Sequence, residues 1–322
     1  MMFRPSMMRR AFRPWLLVTF VVLALSACGG GEQQSEQACE VPAQGSASID
    51  PNNLWDDSTR STIGATKEWT NKVELADIDG DGLVDILFAN GGTMLWLNDG
   101  TGHFTDATEA RMPDALVQFS WELEFADVDN DYDLDILISC KVCGGSFFFE
   151  NDGTGAFTDV SRAKLPQFIN NYDFEAMDVN RDEYLDLATI NDGIASTEHI
   201  FLNDRHGGFN DATARIWPDS ENLGFDDNMD TFLDFDSDGD EDLLVGSLDG
   251  PDRLHRNNGS GKLKLVNDQL QYILGETNGT LGIAVADLNS DCKLDVVQAQ
   301  GESACQRMSI WARTFRLTQP RR

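Results

Sequence analysis

Five times along the chain a short apolar stretch runs into an acidic turn, and a second apolar stretch leaves it at once. The leading segments read KVELA, ELEFA, FEAM, TFL and GIAVA, and the following ones DILFA, DILIS, DLATI, DLLVG and DVVQA. Their lengths are those of strands, and the scarcity of polar alternation in the second set is expected of strands covered on both faces. Next come TMLWLNDGTGHFTDAT, SFFFENDGTGAFTDVS and HIFLNDRHGGFNDAT. Each reads as two strands joined through Asn-Asp-Gly or a near equivalent, residues that accept the positive φ of tight hairpin turns. Each unit is therefore predicted to be a four-stranded antiparallel meander. No run of helical periodicity is long enough to compete.

The acidic turns begin at Asp77, Asp127, Asp178, Asp234 and Asp287, at intervals of 50, 51, 56 and 53 residues. A period near 50 marks a repeat architecture in which each unit is one supersecondary module. Meanders stacked face to face around an axis bury both sheet surfaces, so the expected fold is an all-β propeller of four-stranded antiparallel blades occupying residues 49–322. The segment NLWDDST at 53–59 resembles fourth-strand text but precedes the first loop. It is predicted to close the ring by adding the outer strand of a fifth blade, whose other strands come from residues 282–317.

The turns share the spacing D-x-D/N-x-D-x-x-x-D. In the loop 77–85, Asp77, Asp79, Asp81 and Asp85 offer side-chain oxygens and Leu83 a backbone carbonyl. The matching sets are Asp127, Asp129, Asp131 and Asp135 with Asp133; Asp178, Asn180, Asp182 and Asp186 with Tyr184; Asp234, Asp236, Asp238 and Asp242 with Asp240; and Asp287, Asn289, Asp291 and Asp295 with Lys293. Four carboxylates within nine residues repel one another unless water or a cation separates them. An oxygen-only donor set suits Ca2+, which takes six to eight such ligands, better than zinc or copper, while magnesium demands stricter octahedral geometry. An EF-hand needs Glu at position 12, where these loops carry Phe88, Ile138, Thr189, Val245 and Gln298. A solvated acidic turn accounts for one such loop but poorly for five in register. Up to five structural Ca2+ ions are expected, with the Asn-containing loops weaker and the fifth weakest. Gly82 and Gly239 ease the turn at position 6, whereas Tyr132, Glu183 and Cys292 strain or reshape it.

Composition narrows the partners. Among 322 residues, 55 are acidic and 24 basic, a net charge of −31, which disfavours a nucleic-acid partner because phosphate contacts require Lys and Arg. Residues 1–28 combine Arg4, Arg9, Arg10 and Arg13 with the apolar run WLLVTFVVLAL and LSAC, an export signal too short to span a membrane. LSAC followed by GGG resembles the lipobox of bacterial lipoproteins, which implies cleavage before Cys28 and lipid on its sulfur; the alternative is an ordinary secretory signal. Residues 29–48 are small and polar and read as a flexible tether. The remaining cysteines are Cys39, Cys140, Cys143, Cys292 and Cys305, in a compartment that permits disulfides. CKVC at 140–143 reads as a local disulfide or two idle thiols rather than a redox centre.

The loop and its DILFA-type strand resemble the FG-GAP or VCBS repeats of integrin α subunits and many secreted bacterial proteins, over roughly residues 53–300. The resemblance implies that each loop joins the first and second strands of a blade and binds calcium. Literal FG and GAP text is absent, with DLLVGS at 242–247 the nearest approach, so the bacterial VCBS branch is the better comparison. The end, SACQRMSIWARTFRLTQPRR, holds five Arg and no acid. It reads as a truncated or frame-shifted terminus, or else as a basic strand completing the fifth blade. The implied function is a calcium-stabilised, lipid-anchored binding or adhesion scaffold of the bacterial envelope, or a secreted one. It would recognise protein or glycan through the varied loops opposite the calcium face. The competing reading is a propeller enzyme, a polysaccharide hydrolase or lyase. Glu74, Glu124 and Glu175 recur three residues before their loops and could face one another near the channel as an acid-base set. Their simpler role is as solvated groups or supports of the metal turns. His103, His199, His206 and His255 share no repeat position, and no catalytic motif stands out.

Overall fold

The computed structural model describes residues 62–63, 70–90, 92–113, 120–141, 145–168, 170–191, 197–248, 250–266, 279–288, 294–300 and 309–313. The predicted signal, tether, NLWDDST strand and most of the fifth loop lie outside these residues.

Within them the chain forms five consecutive antiparallel sheets. The first is β1 (Thr70–Ala76), β2 (Asp85–Asn90), β3 (Met94–Asn98) and β4 (Phe104–Asp106); the second is β5 (Ser120–Ala126), β6 (Asp135–Cys140), β7 (Phe147–Asn151) and β8 (Phe157–Asp159). The third comprises β9 (Asn171–Met177), β10 (Asp186–Asn191), β11 (His199–Asn203) and β12 (Phe209–Asp211), and the fourth β13 (Asp227–Leu233), β14 (Asp242–Ser247), β15 (Arg253–Asn257) and β16 (Leu263–Leu265). β17 (Thr280–Ala286), β18 (Asp295–Gln300) and β19 (Ser309–Arg313) make a three-stranded fifth. Strand order follows sequence order in every sheet, the predicted meander. This is a β-propeller architecture. The innermost strands pack in series, β1 on β5, β5 on β9, β9 on β13 and β13 on β17.

The second strands explain why the sheets stack. Every residue of β6, β10 and β14 is buried, because each lies mid-sheet and is covered on both faces. The hydrophobic core accordingly lies between neighbouring blades. Leu87 and Leu95 of the first blade pack with Leu123, Ile136 and Phe149 of the second, and Leu137 and Phe148 of the second with Phe174, Leu187 and Phe201 of the third. Ile190 and Ile200 meet Leu243 and Val245 across the next interface.

Two features went unread in the sequence. A four-residue helix follows the outer strand of three blades, Thr108–Arg111, Ser161–Lys164 and Thr213–Ile216. Such single turns are too short to leave a periodicity. The register also shifts near the same end of the first hairpin in every blade, for example between Thr70 and Lys72 and between Asp227 and Met229. A bulge of this kind bends the innermost strand and increases its twist.

Candidate metal centres

Each acidic loop is the β1–β2-type connection of its blade and is closed by its ninth residue. The Ile78 N–H donates to Asp85 Oδ2 (3.0 Å) and the Asn98 N–H to Asp85 Oδ1 (2.8 Å). Asp135, Asp186 and Asp242 repeat both bonds, with Val128 and Asn151, Val179 and Asn203, and Phe235 and Asn257. The first residue folds the loop on itself: Asp127 accepts the N–H groups of Asp131 and Tyr132, Asp178 those of Asp182 and Glu183, and Asp234 those of Asp238 and Gly239. The turn needs left-handed backbone at positions 4 and 6, occupied by Gly80 and Gly82, Asn130 and Tyr132, Arg181 and Glu183, and Ser237 and Gly239, all at positive φ. The expectation that Tyr132 and Glu183 are strained is thereby met on geometry, with φ of 77° and 70°.

These bonds leave carboxylate oxygens pointing inward. Oδ1 of Asp77, Asp79, Asp129 and Asp236 is buried without a hydrogen-bond partner. Ligand atoms of Asp77, Asp79 and Asp85 converge within 4.8 Å of one another, as do those of Asp127, Asp129 and Asp131, and of Asp234, Asp236 and Asp242. Orphaned, converging, oxygen-only donors fit a hard divalent cation. These clusters could hold a metal ion. The electrostatics agree: burial, then repulsion from Asp131 and Asp129, pushes Asp133 up to about 7. Burial raises Asp85 to about 6 and Asp135, Asp186 and Asp242 to about 7, against the hydrogen bonds that favour their charged forms. A cation would relieve that penalty.

The loops are unequal in ways only partly foreseen. In the third, Asn180 stands where the other described loops have Asp, and no converging carboxylate trio forms there. In the fourth, Arg256 of β15 reaches Asp236 (2.7 Å) and Asp238 (2.9 Å), and Arg181 of the third loop pairs with Asp240. These arginines supply part of the positive charge expected from an ion. Of the fifth loop, Asn289, Asp291 and Lys293 lie outside the described residues. Asp295 closes its loop like its counterparts, through the Leu288 N–H (2.9 Å), and its Oδ1 is buried and unpartnered.

The loops also knit blades together. The Asn ending the third strand donates across the blade boundary: Asn151 Nδ2 to the Ile78 carbonyl (3.0 Å), Asn203 Nδ2 to that of Val128 (2.8 Å) and Asn257 Nδ2 to that of Val179 (3.1 Å). Each also serves the hairpin turn predicted for it: Asn151 Oδ1 accepts the N–H groups of Gly153 and Gly155, Asn203 Oδ1 that of Arg205 and Asn257 Oδ1 that of Gly259, while the positive φ is carried by Gly153, Gly155, Arg205 and Gly259. Gly155 also abuts the preceding blade's loop, where an added Cβ would come within 2.9 Å of Asp79 Cβ; Gly207 stands likewise against Asp129, at 2.8 Å. The acidic loops and the outer hairpin turns therefore share one face of the propeller. The β2–β3-type connections and the segments between blades open on the other.

Two smaller groups named from the sequence can be placed. Cys140 is disulfide-bonded and so is no idle thiol; Cys143 lies outside the described residues. Glu74, Glu124 and Glu175 do come together in the wall of a central cavity of 850 Å3 between the innermost strands. They are half-buried, and burial raises the pKa of each, that of Glu175 to about 7.

A family model described as an FG-GAP-like repeat matches residues 77–138 and 234–297, each match beginning on the first Asp of a loop. Two stretches of the chain are thus similar to FG-GAP-like repeats. A search of curated proteins gave no match. Among solved structures, a lectin of Agrocybe aegerita, described as recognising non-reducing terminal N-acetylglucosamine, is 19% identical over 73% of this chain and 62% of its own, with a TM-score of 0.47. The biofilm matrix protein Bap1 of V. cholerae is 14% identical over 77% and 37%, with a TM-score of 0.43. A Tc holotoxin pore structure from Photorhabdus luminescens is 14% identical over 74% and 11%, with a TM-score of 0.38. This chain thus spans less than two thirds of each.

Proposed function

We propose that this FG-GAP-like propeller is a calcium-stabilised binding scaffold of the cell envelope that engages a glycan or protein through the face opposite its acidic loops. Asp77, Asp79 and Asp85 would hold one ion, Asp127, Asp129 and Asp131 a second, and Asp234, Asp236 and Asp242 a third. Bound calcium would supply the charge neutralisation that lets these side chains sit together. The support is the inward-pointing, unpartnered carboxylate oxygens, an oxygen-only donor set of the kind calcium takes. The lipid anchor on Cys28 and export by residues 1–28 belong to the same reading, carried by the LSAC motif.

The binding face is suggested by what stands on it. Trp121 and Tyr172, near the far-face ends of β5 and β9, meet edge to face with centroids 5.1 Å apart, and Lys141 lies 5.0 Å from the Trp121 ring centroid. All three are half-buried. An aromatic pair with a polar rim is suited to recognition, since it offers contact area at low entropic cost. The two faces thus divide the work, metal turns on one and varied loops on the other, with no reaction assigned to either. A glycan and protein array probed with calcium and with EDTA tests this: ligands should be retained with calcium and lost on Trp121→Ala. An array blank in both conditions, or signals indifferent to Trp121, would count against it.

A further inference from the structure

The central cavity holds chemistry that neither face uses. Its wall carries Glu74, Glu124, Asp173, Glu175, Asp230 and Glu241 against two cations, both already engaged: Lys72 with Glu122 (2.9 Å) and Glu74 (3.4 Å), and Arg181 with Asp240. Asp230 is the anomaly. It is 3% exposed, lines the cavity, and neither of its carboxylate oxygens has a hydrogen-bond partner. Four residues before the first loop Asp, the other blades place Val73, Leu123, Phe174 and Ile283, so a carboxylate stands where the repeat otherwise puts an apolar side chain. The fold gives no reason for it, because an unpaired buried charge is strongly unfavourable unless a cation or a proton meets it. Burial and the Glu175 carboxylate accordingly push Asp230 well above the usual carboxylate range.

The shape of the site selects the class of cation. Among the described residues, the carboxylate trios close enough to share one ion are all in the loops, and none is in the cavity. Between its acids the wall is apolar, with Val73, Phe174, Met177, Phe232 and Ile283, a surface suited to methylene groups. A bare divalent ion would use neither the separation of the carboxylates nor this apolar lining. We propose that the channel binds a linear polyamine, one ammonium group against Asp230 and Glu175 and the methylene chain along the apolar wall. The inference is independent of the glycan or protein reading, which concerns the far face.

Isothermal titration of the calcium-saturated full chain with spermidine, at physiological ionic strength, tests it. One spermidine should bind per chain, and Asp230→Asn should weaken binding about tenfold or more, the loss of a charge-assisted hydrogen bond. Asp230→Asn removes a buried charge without changing shape, so its melting temperature should equal or exceed that of the parent. Glu175→Gln should weaken spermidine likewise, and serves as the readout if Asp230→Asn does not fold. Absence of binding overturns the proposal. So do several spermidines per chain with affinity unchanged in both variants, which would be screening of the net surface charge, and one-for-one displacement by further calcium, which would mark a metal site.

Discussion

At the scale of single residues, the loops show which backbone positions the sequence had no freedom to fill well. Tyr132 sits at φ 77° with its side chain 92% exposed, so its left-handed backbone is unfavourable and its ring gains little in return. Tyr132→Gly should therefore stabilise the protein by about 1 kcal/mol, read as a higher urea midpoint at fixed calcium. Gly155 is the opposite case. Its φ of +75° disfavours a side chain, and an added Cβ would clash with Asp79 Cβ of the neighbouring blade's loop at 2.9 Å. Gly155→Ala should cost about 1–3 kcal/mol. It should also weaken metal binding at the first loop, whereas the same change at Gly102, with nothing within 4 Å, should cost only the backbone strain. Calcium titration of the two variants, compared with their denaturation midpoints, separates the effects.

At the scale of elements, the blade interface depends on a bond that local pattern could not reveal. Asn203 Nδ2 donates to the carbonyls of Val128 and Leu185, joining two blades at one atom. Asn203→Ala strands both acceptors in a buried site and should destabilise by about 2–4 kcal/mol, since each unsatisfied buried group costs about 1–3 kcal/mol. Asn98, which donates to Val84 in its own blade, should cost about half as much on the same change. Chemical denaturation of the pair provides the comparison. The contrast shows what was legible. The strands, their order and the acidic turns were readable because each is written within a ten-residue window, in the apolar runs DILFA and DILIS and in the Asp spacing. The Asn151, Asn203 and Asn257 staples were not, because they join residues 73, 75 and 78 apart, and the Asn-Asp or Asn-Asn text that holds them is also a sound hairpin signal. Arg256 was missed at the fourth loop for the same reason: it approaches from another strand, and no count of charges along the loop includes it. Asp230 was visible as a departure from an apolar register, but only stacking of the blades shows that it faces a cavity.

At the scale of the whole molecule, the acidic loops make stability depend on pH and calcium jointly. Without metal, burial holds Asp135, Asp186 and Asp242 at about 7 and Asp85 at about 6, above the ordinary carboxylate value of 3.8 that applies when unfolded. A group whose pKa is raised on folding binds more protons folded than unfolded between those two values. Its stabilising contribution is full below the unfolded pKa and is lost as pH rises through the folded one. In EDTA the melting temperature should therefore rise as pH is lowered from about 8 towards 5, the reverse of a protein whose carboxylates are held by salt bridges. Calcium needs the deprotonated oxygens, so its stabilisation should be largest at the alkaline end and should shrink as protons compete for the same atoms. Scanning calorimetry at several pH values, with EDTA and with excess calcium, should give two curves that converge on acidification and diverge above neutrality. Parallel curves would mean that the ion does not bind at these carboxylates, and a melting temperature unmoved by EDTA at alkaline pH would remove the metal from the account of the fold.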